Sequence, residues 1–316
     1  MGNFFRKIRL NTIIPIIGLI LLFSILTFIN PNFLSAYNIG ALLDGAITIF
    51  IAGIGMTFVL LIGSIDLSVG AMISLNTILF ILLVNRFGVL GYPLTILSGY
   101  IMGYLNGVLF TKFKIPSFIT TFGMSGVYKS IALIVSGARP IGFDTSKMNL
   151  ILYLTDSIGP FKVLHIVGFV LMVVCMVILK YTAFGRYVYA TGSSEQATLY
   201  SGINTQQIKR LSFVISGISV ALASIGLVAI KMSAAPSMGE PYQMNIIAAT
   251  VVGGTAMTGG VGGVGLTYLG AFILSILSNG LNMFGVNVYL QQIFTGILTV
   301  VAISLTLDRT KIKLVK

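Results

Sequence analysis

The 316 residues are 56% hydrophobic and only 8% charged, with 36 glycines, no Trp and a net charge of +12. No water-soluble chain of this length buries that much apolar surface in one core, so the solvent around most of it is lipid. The charge does not indicate nucleic acid, because the basic residues form no aromatic-interleaved patch and lie mostly between apolar runs.

A window of about 19 residues, the length that crosses the hydrocarbon core as helix, gives ten candidate spans. They fall at about 12–29, 41–62, 67–84, 93–110, 117–135, 164–181, 211–230, 246–258, 266–284 and 288–307. The first follows Arg6, Lys7 and Arg9, as a secretory signal would. It is followed by Asn30-Pro31-Asn32 without a small-residue cleavage site, so it reads as a span. Only Gly63 to Asp66 separate the second and third spans, and the short eighth runs into Gly259-Gly260-Val261-Gly262-Gly263. Both places read as broken or re-entrant helix, tolerable where protein or a water-filled cavity satisfies the freed backbone groups. In the fourth span Gly99, Gly103 and Gly107 recur every four residues, a smooth stripe on which another helix can dock. Tyr37, Tyr92, Tyr153, Tyr242 and Tyr289 fall near span ends as interfacial anchors. Cys175, the single cysteine, lies in an apolar run, reads as core and excludes an intrachain disulfide or a cysteine metal cluster.

The basic residues assign the sides. With an even number of spans, Arg6, Lys7, Arg9, Lys112, Lys114, Lys180, Arg186, Lys209, Arg210, Arg309, Lys311, Lys313 and Lys316 share one side, 13 of the 19. Arg86, Arg139, Lys147, Lys162 and Lys231 fall on the other, and Lys129 within a span. The positive-inside rule puts both termini and the 182–210 loop in the cytoplasm. Leu105-Asn106-Gly107 in the fourth span echoes Ser278-Asn279-Gly280 in the ninth, an offset of five spans that would make the halves inverted copies.

The polar groups sort into two regions. From Gly185 to Asn204 the chain reads as a short capped helix: Ser193 with Gln196 forms a capping box, Glu195 suits the positive helix end and Gly202 the left-handed stop. Asn204 with Gln207 then starts the seventh span. Such a stiff element across the cytoplasmic mouth suits receipt of work from a separate ATPase, and its spacing fits a surface loop without a partner equally well. Within the spans, Asp66 reads first as N-cap of the third, with direct contact to a solute the sharper alternative. Ser68, Asn106 and Asn279 are further pathway candidates, although each Asn more simply bonds a neighbouring helix. Asp44 and Lys129 are the other charges among the spans and could pair with each other. His165, the only histidine, stands beside Lys162 with no nearby acid in sequence and reads as an interfacial side chain.

Over nearly its whole length the chain resembles the permeases of ribose-type sugar ABC importers, which serve ribose, xylose, arabinose, galactose and related compounds. The resemblance rests on Gly55-Met56-Thr57-Phe58-Val59-Leu60 running into Ile65-Asp66-Leu67-Ser68-Val69-Gly70, on Leu105-Asn106-Gly107, and on Ile115-Pro116-Ser117-Phe118-Ile119-Thr120-Thr121. Gly185 to Gly202, Ala248 to Gly254, Gly259-Gly260 and Asn279-Gly280-Leu281 complete it. It implies an all-α polytopic protein forming one transmembrane domain in a bacterial inner membrane, with no cofactor or metal of its own. The implied partners are a second permease copy or paralogue, an external sugar-binding protein, and a cytoplasmic ATPase with two nucleotide-binding modules that uses ATP and Mg. Gly185, Arg186, Gly192, Glu195, Ala197, Leu199, Ser201 and Gly202 match the family's coupling region. The competing reading is an ATP-independent secondary transporter or channel for a small neutral solute, for which Asp44, Asp66 and Lys129 are a poor ion-coupling set. A membrane enzyme is disfavoured, because no phosphate-binding G-x-x-x-x-G-K-[ST] loop, H-E-x-x-H motif or catalytic His/Cys pair occurs. A membrane scaffold is the third reading.

Overall fold

A computed structural model describes residues 2–158 and 161–306. Among them the fold is helical: α1 (Gly2–Ile29), α2 (Ala36–Leu61), α3 (Val69–Phe87), α4 (Gly91–Lys112), α5 (Ser117–Ser136), the four-residue α6 (Asn149–Leu152) and α7 (Val163–Tyr181). There follow α8 (Ala183–Ser193), α9 (Glu195–Tyr200), α10 (Thr205–Lys231), α11 (Glu240–Val252), α12 (Val264–Met283) and α13 (Val288–Thr306). Two-residue strands add little hydrogen bonding: β1 (Ile141–Gly142) pairs antiparallel with β4 (Ser233–Ala234), and β2 (Ser157–Ile158) with β3 (Phe161–Lys162).

Six helical stretches among the described residues are long and apolar enough to cross a membrane, namely α2, α3 running through α4, α5, α7, α10 and α12. Shorter apolar helices lie at Pro15–Ile29 and Tyr289–Val301. This is a multi-pass membrane protein. Of the basic residues assigned to the cytoplasm, Arg309, Lys311, Lys313 and Lys316 lie outside the described residues.

Helices α2 and α10 form the centre. From Ala46 to Leu61 α2 is buried on every side, as a helix apolar all round must be. By contrast α5 and α7 keep rows of large apolar side chains outward, among them Phe118, Phe122, Phe169 and Val170, which suit lipid. Hydrophobicity alone does not separate these two situations.

The glycine stripe of α4 docks on α10. Added β-carbons at Gly99 and Gly103 would enter the backbone at Gly217 and Phe213, and one at Gly107 would stand 3.0 Å from the Arg210 Cα. The stripe thus lets two backbones meet with no side chain between them.

Two expected boundaries move. The eighth span, expected at 246–258, is α11 at Glu240–Val252, and 253–263 is irregular backbone with Gly254, Gly259, Gly260 and Gly262 at positive φ. The sequence window missed this because Tyr242, Gln243 and Asn245 dilute the first turns of α11. The segment at 182–210, expected to hold one short helix, holds two, α8 and α9.

Candidate permease core and coupling segment

The break between α2 and α3 carries a buried polar network. Asp66 is fully buried, and its Oδ1 accepts from the backbone N–H of Ser68 at 2.9 Å and from the Ser68 hydroxyl at 2.6 Å. Its Oδ2 accepts from the Ser216 hydroxyl of α10 at 3.2 Å. Ser68 Oγ in turn accepts from Asn106 Nδ2 of α4 at 2.8 Å, and Asn106 Oδ1 accepts from the Tyr128 hydroxyl of α5 at 3.0 Å. Four helices are therefore tied to one carboxyl. The backbone of the break is held by α5 as well, since Ser117 Oγ accepts from the N–H of Ile65 and Thr121 Oγ1 from that of Leu67. This supplies the protein partners that irregular backbone needs at membrane depth.

Asp66 is not the N-cap of α3. Ser68 holds that position without a side-chain cap bond, and Asp66 closes a turn onto the N–H two residues on. The expected capping failed because the helix begins at Val69 with Ser68 as its N-cap, two residues too late for Asp66 to reach its free N–H groups.

Asp66, Ser68 and Asn106 thus meet, whereas Asn279 lies apart, donating to Asn38 Oδ1 of α2 at 2.9 Å. Sequence reasoning missed Ser216 and Tyr128, whose only trace was a polar atom inside an apolar run. Asp44 and Lys129, which the sequence left open to pair with each other, take other partners. Asp44 Oδ2 accepts from Lys162 Nζ, and Asp44 Oδ1 faces His165 Nε2 at 3.0 Å. Lys129 instead bridges to Glu240 at 2.6 Å. His165 therefore has an acid partner and is buried rather than interfacial. Its Nδ1 accepts the Lys162 backbone N–H at 3.0 Å at the start of α7. Asp44 lies 121 residues from His165 in sequence, a pairing that no local pattern encodes.

The coupling candidates form a short helical arm. Thr182 caps α8 by accepting from Gly185 N–H at 3.1 Å, and Gly185 packs on the Ile178 and Leu179 carbonyls. Arg186 is exposed. The cap of α9 is Ser194, accepting from Ala197 N–H at 3.3 Å, and not Ser193, which ends α8. Asn204 accepts from Gln207 N–H at 3.0 Å to open α10. Glu195 is bound within the chain, to Lys209 Nζ at 2.6 Å. Gly202 turns the chain out of α9 at φ +81°, with Ala197, Leu199, Tyr200 and Ser201 exposed beside it.

At the end of α8 this arm meets both breaks. Gly192 packs against the Leu61 carbonyl and the Gly260 N–H, and Gly260 N–H donates to the Leu61 carbonyl at 2.9 Å. The Tyr189 hydroxyl donates to the Gly262 carbonyl at 2.8 Å. Burial raises the pKa of this phenol, so it remains a donor across the physiological range. A displacement of α8 cannot leave the end of α2 and the irregular 253–263 segment untouched, because backbone rests on backbone there.

Helices broken around a polar centre, with a short helical arm seated on the breaks, suit a membrane permease. The family profile described as "Branched-chain amino acid transport system / permease component" matches residues 38–303, and the chain belongs to that family. It is 37% identical over 298 residues to the ribose import permease protein RbsC of Haemophilus influenzae, covering 91% of this chain and 90% of the relative. It is 36% identical over 299 residues to RbsC of Bacillus subtilis, covering 94% and 92%. The autoinducer 2 import system permease protein LsrC of Photorhabdus luminescens is 32% identical over 278 residues, covering 85% and 81%. No solved structure gives a significant match. The chain is a permease subunit, a transport component and not an enzyme.

Proposed function

We propose that the chain is the membrane subunit of an ATP-driven importer for a pentose or a sugar-like solute of similar size. The carrying observation is the similarity along nine-tenths of the chain to ribose import permeases. A separate cytoplasmic ATPase with two nucleotide-binding modules, using ATP and Mg, drives it, and an external binding protein delivers the solute. A second permease copy completes the pathway. The chain itself binds no cofactor.

In this reading α9 docks on the ATPase through exposed Leu199, Tyr200 and Ala197, with Arg186 at the edge. Asp66, Ser68 and Asn106 hold the break rather than touch cargo, since Asp66, Ser68 and Asn106 are fully buried and engaged with one another. Asn279 plays the corresponding role at the α2–α12 contact. Alternating access then requires only that two ATPase states contact the arm differently, because that difference is what biases a two-state permease.

The reading has ten spans in two inverted halves, with both termini in the cytoplasm of a bacterial inner membrane. Packing supports the repeat: α4 lies on α10 as α12 lies on α2, α3 on α4 as α11 on α12, and α3 on α5 as α11 on α13. The test is reconstitution with the partner ATPase and binding protein in liposomes. ATP-dependent accumulation of radiolabelled D-ribose or another neutral sugar supports it; accumulation without ATPase, driven by an ion gradient, replaces it with a secondary transporter.

A further inference from the structure

Between α11, α12 and α13 lies a groove of about 600 Å³ whose lining is unusually polar for this chain. Asn245 of α11, Ser278 of α12, and Gln291, Gln292 and Thr295 of α13 face it, with Glu240 at its rim. We infer that this groove is a sugar-contacting station on the translocation pathway, taking a small neutral polyhydroxylated solute. The inference rests on the importer reading and adds to it the residues that meet the cargo.

Three observations carry it. First, α13 is two-faced: Ile293, Phe294, Ile297, Val300 and Val301 are exposed on one side, while Gln291, Thr295 and Thr299 are buried at four-residue intervals on another. Polar groups on a membrane helix do not face lipid, so the polar side faces protein or water. Second, among the described residues the side chains of Asn245, Ser278 and Gln292 bond no other protein group. Gln291, in contrast, is oriented by the Asn282 side chain at 2.7 Å and the Val286 carbonyl at 2.9 Å. Unspent amides and a hydroxyl above an ordered one are what a solute rich in hydroxyls exchanges its water for. Third, Gly296 leaves open space where any side chain would begin to fill the groove.

The electrostatics suit passage rather than capture. Among the described residues Glu240 carries the only charge lining the groove, and Lys129 of α5 neutralises it at 2.6 Å. A neutral sugar therefore meets single hydrogen bonds, each weak enough to release, as a conduction path requires. The volume lies within the range of small-molecule sites. Helix α5 also joins the groove to the break: Tyr128 donates to Asn106 while its neighbour Lys129 holds Glu240. Movement of the break is thereby felt at the groove.

The experiment uses the assembled importer in intact cells, with Cys175→Ala as background and single Gln292→Cys, Asn245→Cys and lipid-side Val300→Cys variants. A charged, membrane-impermeant methanethiosulfonate should modify the first two and not the third, and should then cut D-ribose uptake about tenfold or more. Asn245→Leu with Gln292→Leu should lower maximal uptake about fivefold, the loss of roughly one hydrogen bond, while ATP hydrolysis and membrane levels stay unchanged. Unreactive groove cysteines, or modification without loss of uptake, would each overturn the inference. The labelling arm reads the groove whatever the cargo. A wild-type importer that accumulates no neutral sugar refutes the functional reading, whereas normal uptake in the groove variants refutes only the station.

Discussion

Leu61 and Gly260, almost two hundred positions apart, are joined by a single backbone hydrogen bond of 2.9 Å, and Gly192 sits directly upon it. One bond therefore links the break after α2 to the break after α11, beneath the last turn of α8. The arm needs no long-range path to reach the broken helices, because it already touches them.

Gly192→Val should uncouple the protein. A side chain there overlaps the Leu61 carbonyl, and overpacking of this kind costs about 1–3 kcal/mol. ATP-driven uptake should fall at least about tenfold while the ATPase still co-purifies. Normal uptake would show that the junction yields freely.

Gly202→Val should misdirect the end of α9. A β-branched residue resists φ of +81°, and the strain is about 1–2 kcal/mol. Together with Leu199→Asp on the exposed face, it should weaken co-purification with the ATPase and lower sugar uptake, with insertion intact. If both variants bind and transport normally, α9 is not the docking element.

Asp66→Asn should retain most stability, since an amide oxygen can still accept from Ser68 and its NH2 can donate to Ser216. Asp66→Leu strands three buried donors and should cost about 1–3 kcal/mol for each left unpaired. Thermal unfolding in detergent distinguishes them; equal melting of the two variants would mean that the network adds nothing to stability.

Gly103→Leu should separate α4 from α10 and sharply reduce folded protein in the membrane, by about 1–3 kcal/mol or more. Gly123→Ala, which meets open space on α5, should be neutral within about 0.5 kcal/mol. The readout is detergent-resistant monodisperse protein for each variant.

Topology is checked by cysteine labelling in the Cys175→Ala background. Sites near Glu195 should react only from the cytoplasm and sites near Asp144 only from outside, as the distribution of basic residues requires. Cytoplasmic reactivity in the 136–162 region would break the ten-span arrangement.

The sequence by itself determined what depends on local pattern and composition. Apolar runs of bilayer length fixed the solvent, the Gly99–Gly103–Gly107 period marked a docking face, and Gly202 marked a helix end. These follow from forces between near neighbours or between the chain and its solvent. Tertiary structure decided the pairings: Asp44 with Lys162 and His165, Lys129 with Glu240, Asp66 with Ser216, and Gly192 on Leu61 and Gly260. It also decided which Asn and Gln side chains are spent on the protein and which face the groove. A buried polar atom must find a partner, but its composition says only that one is needed. Which helix supplies it depends on how the breaks fold back on each other.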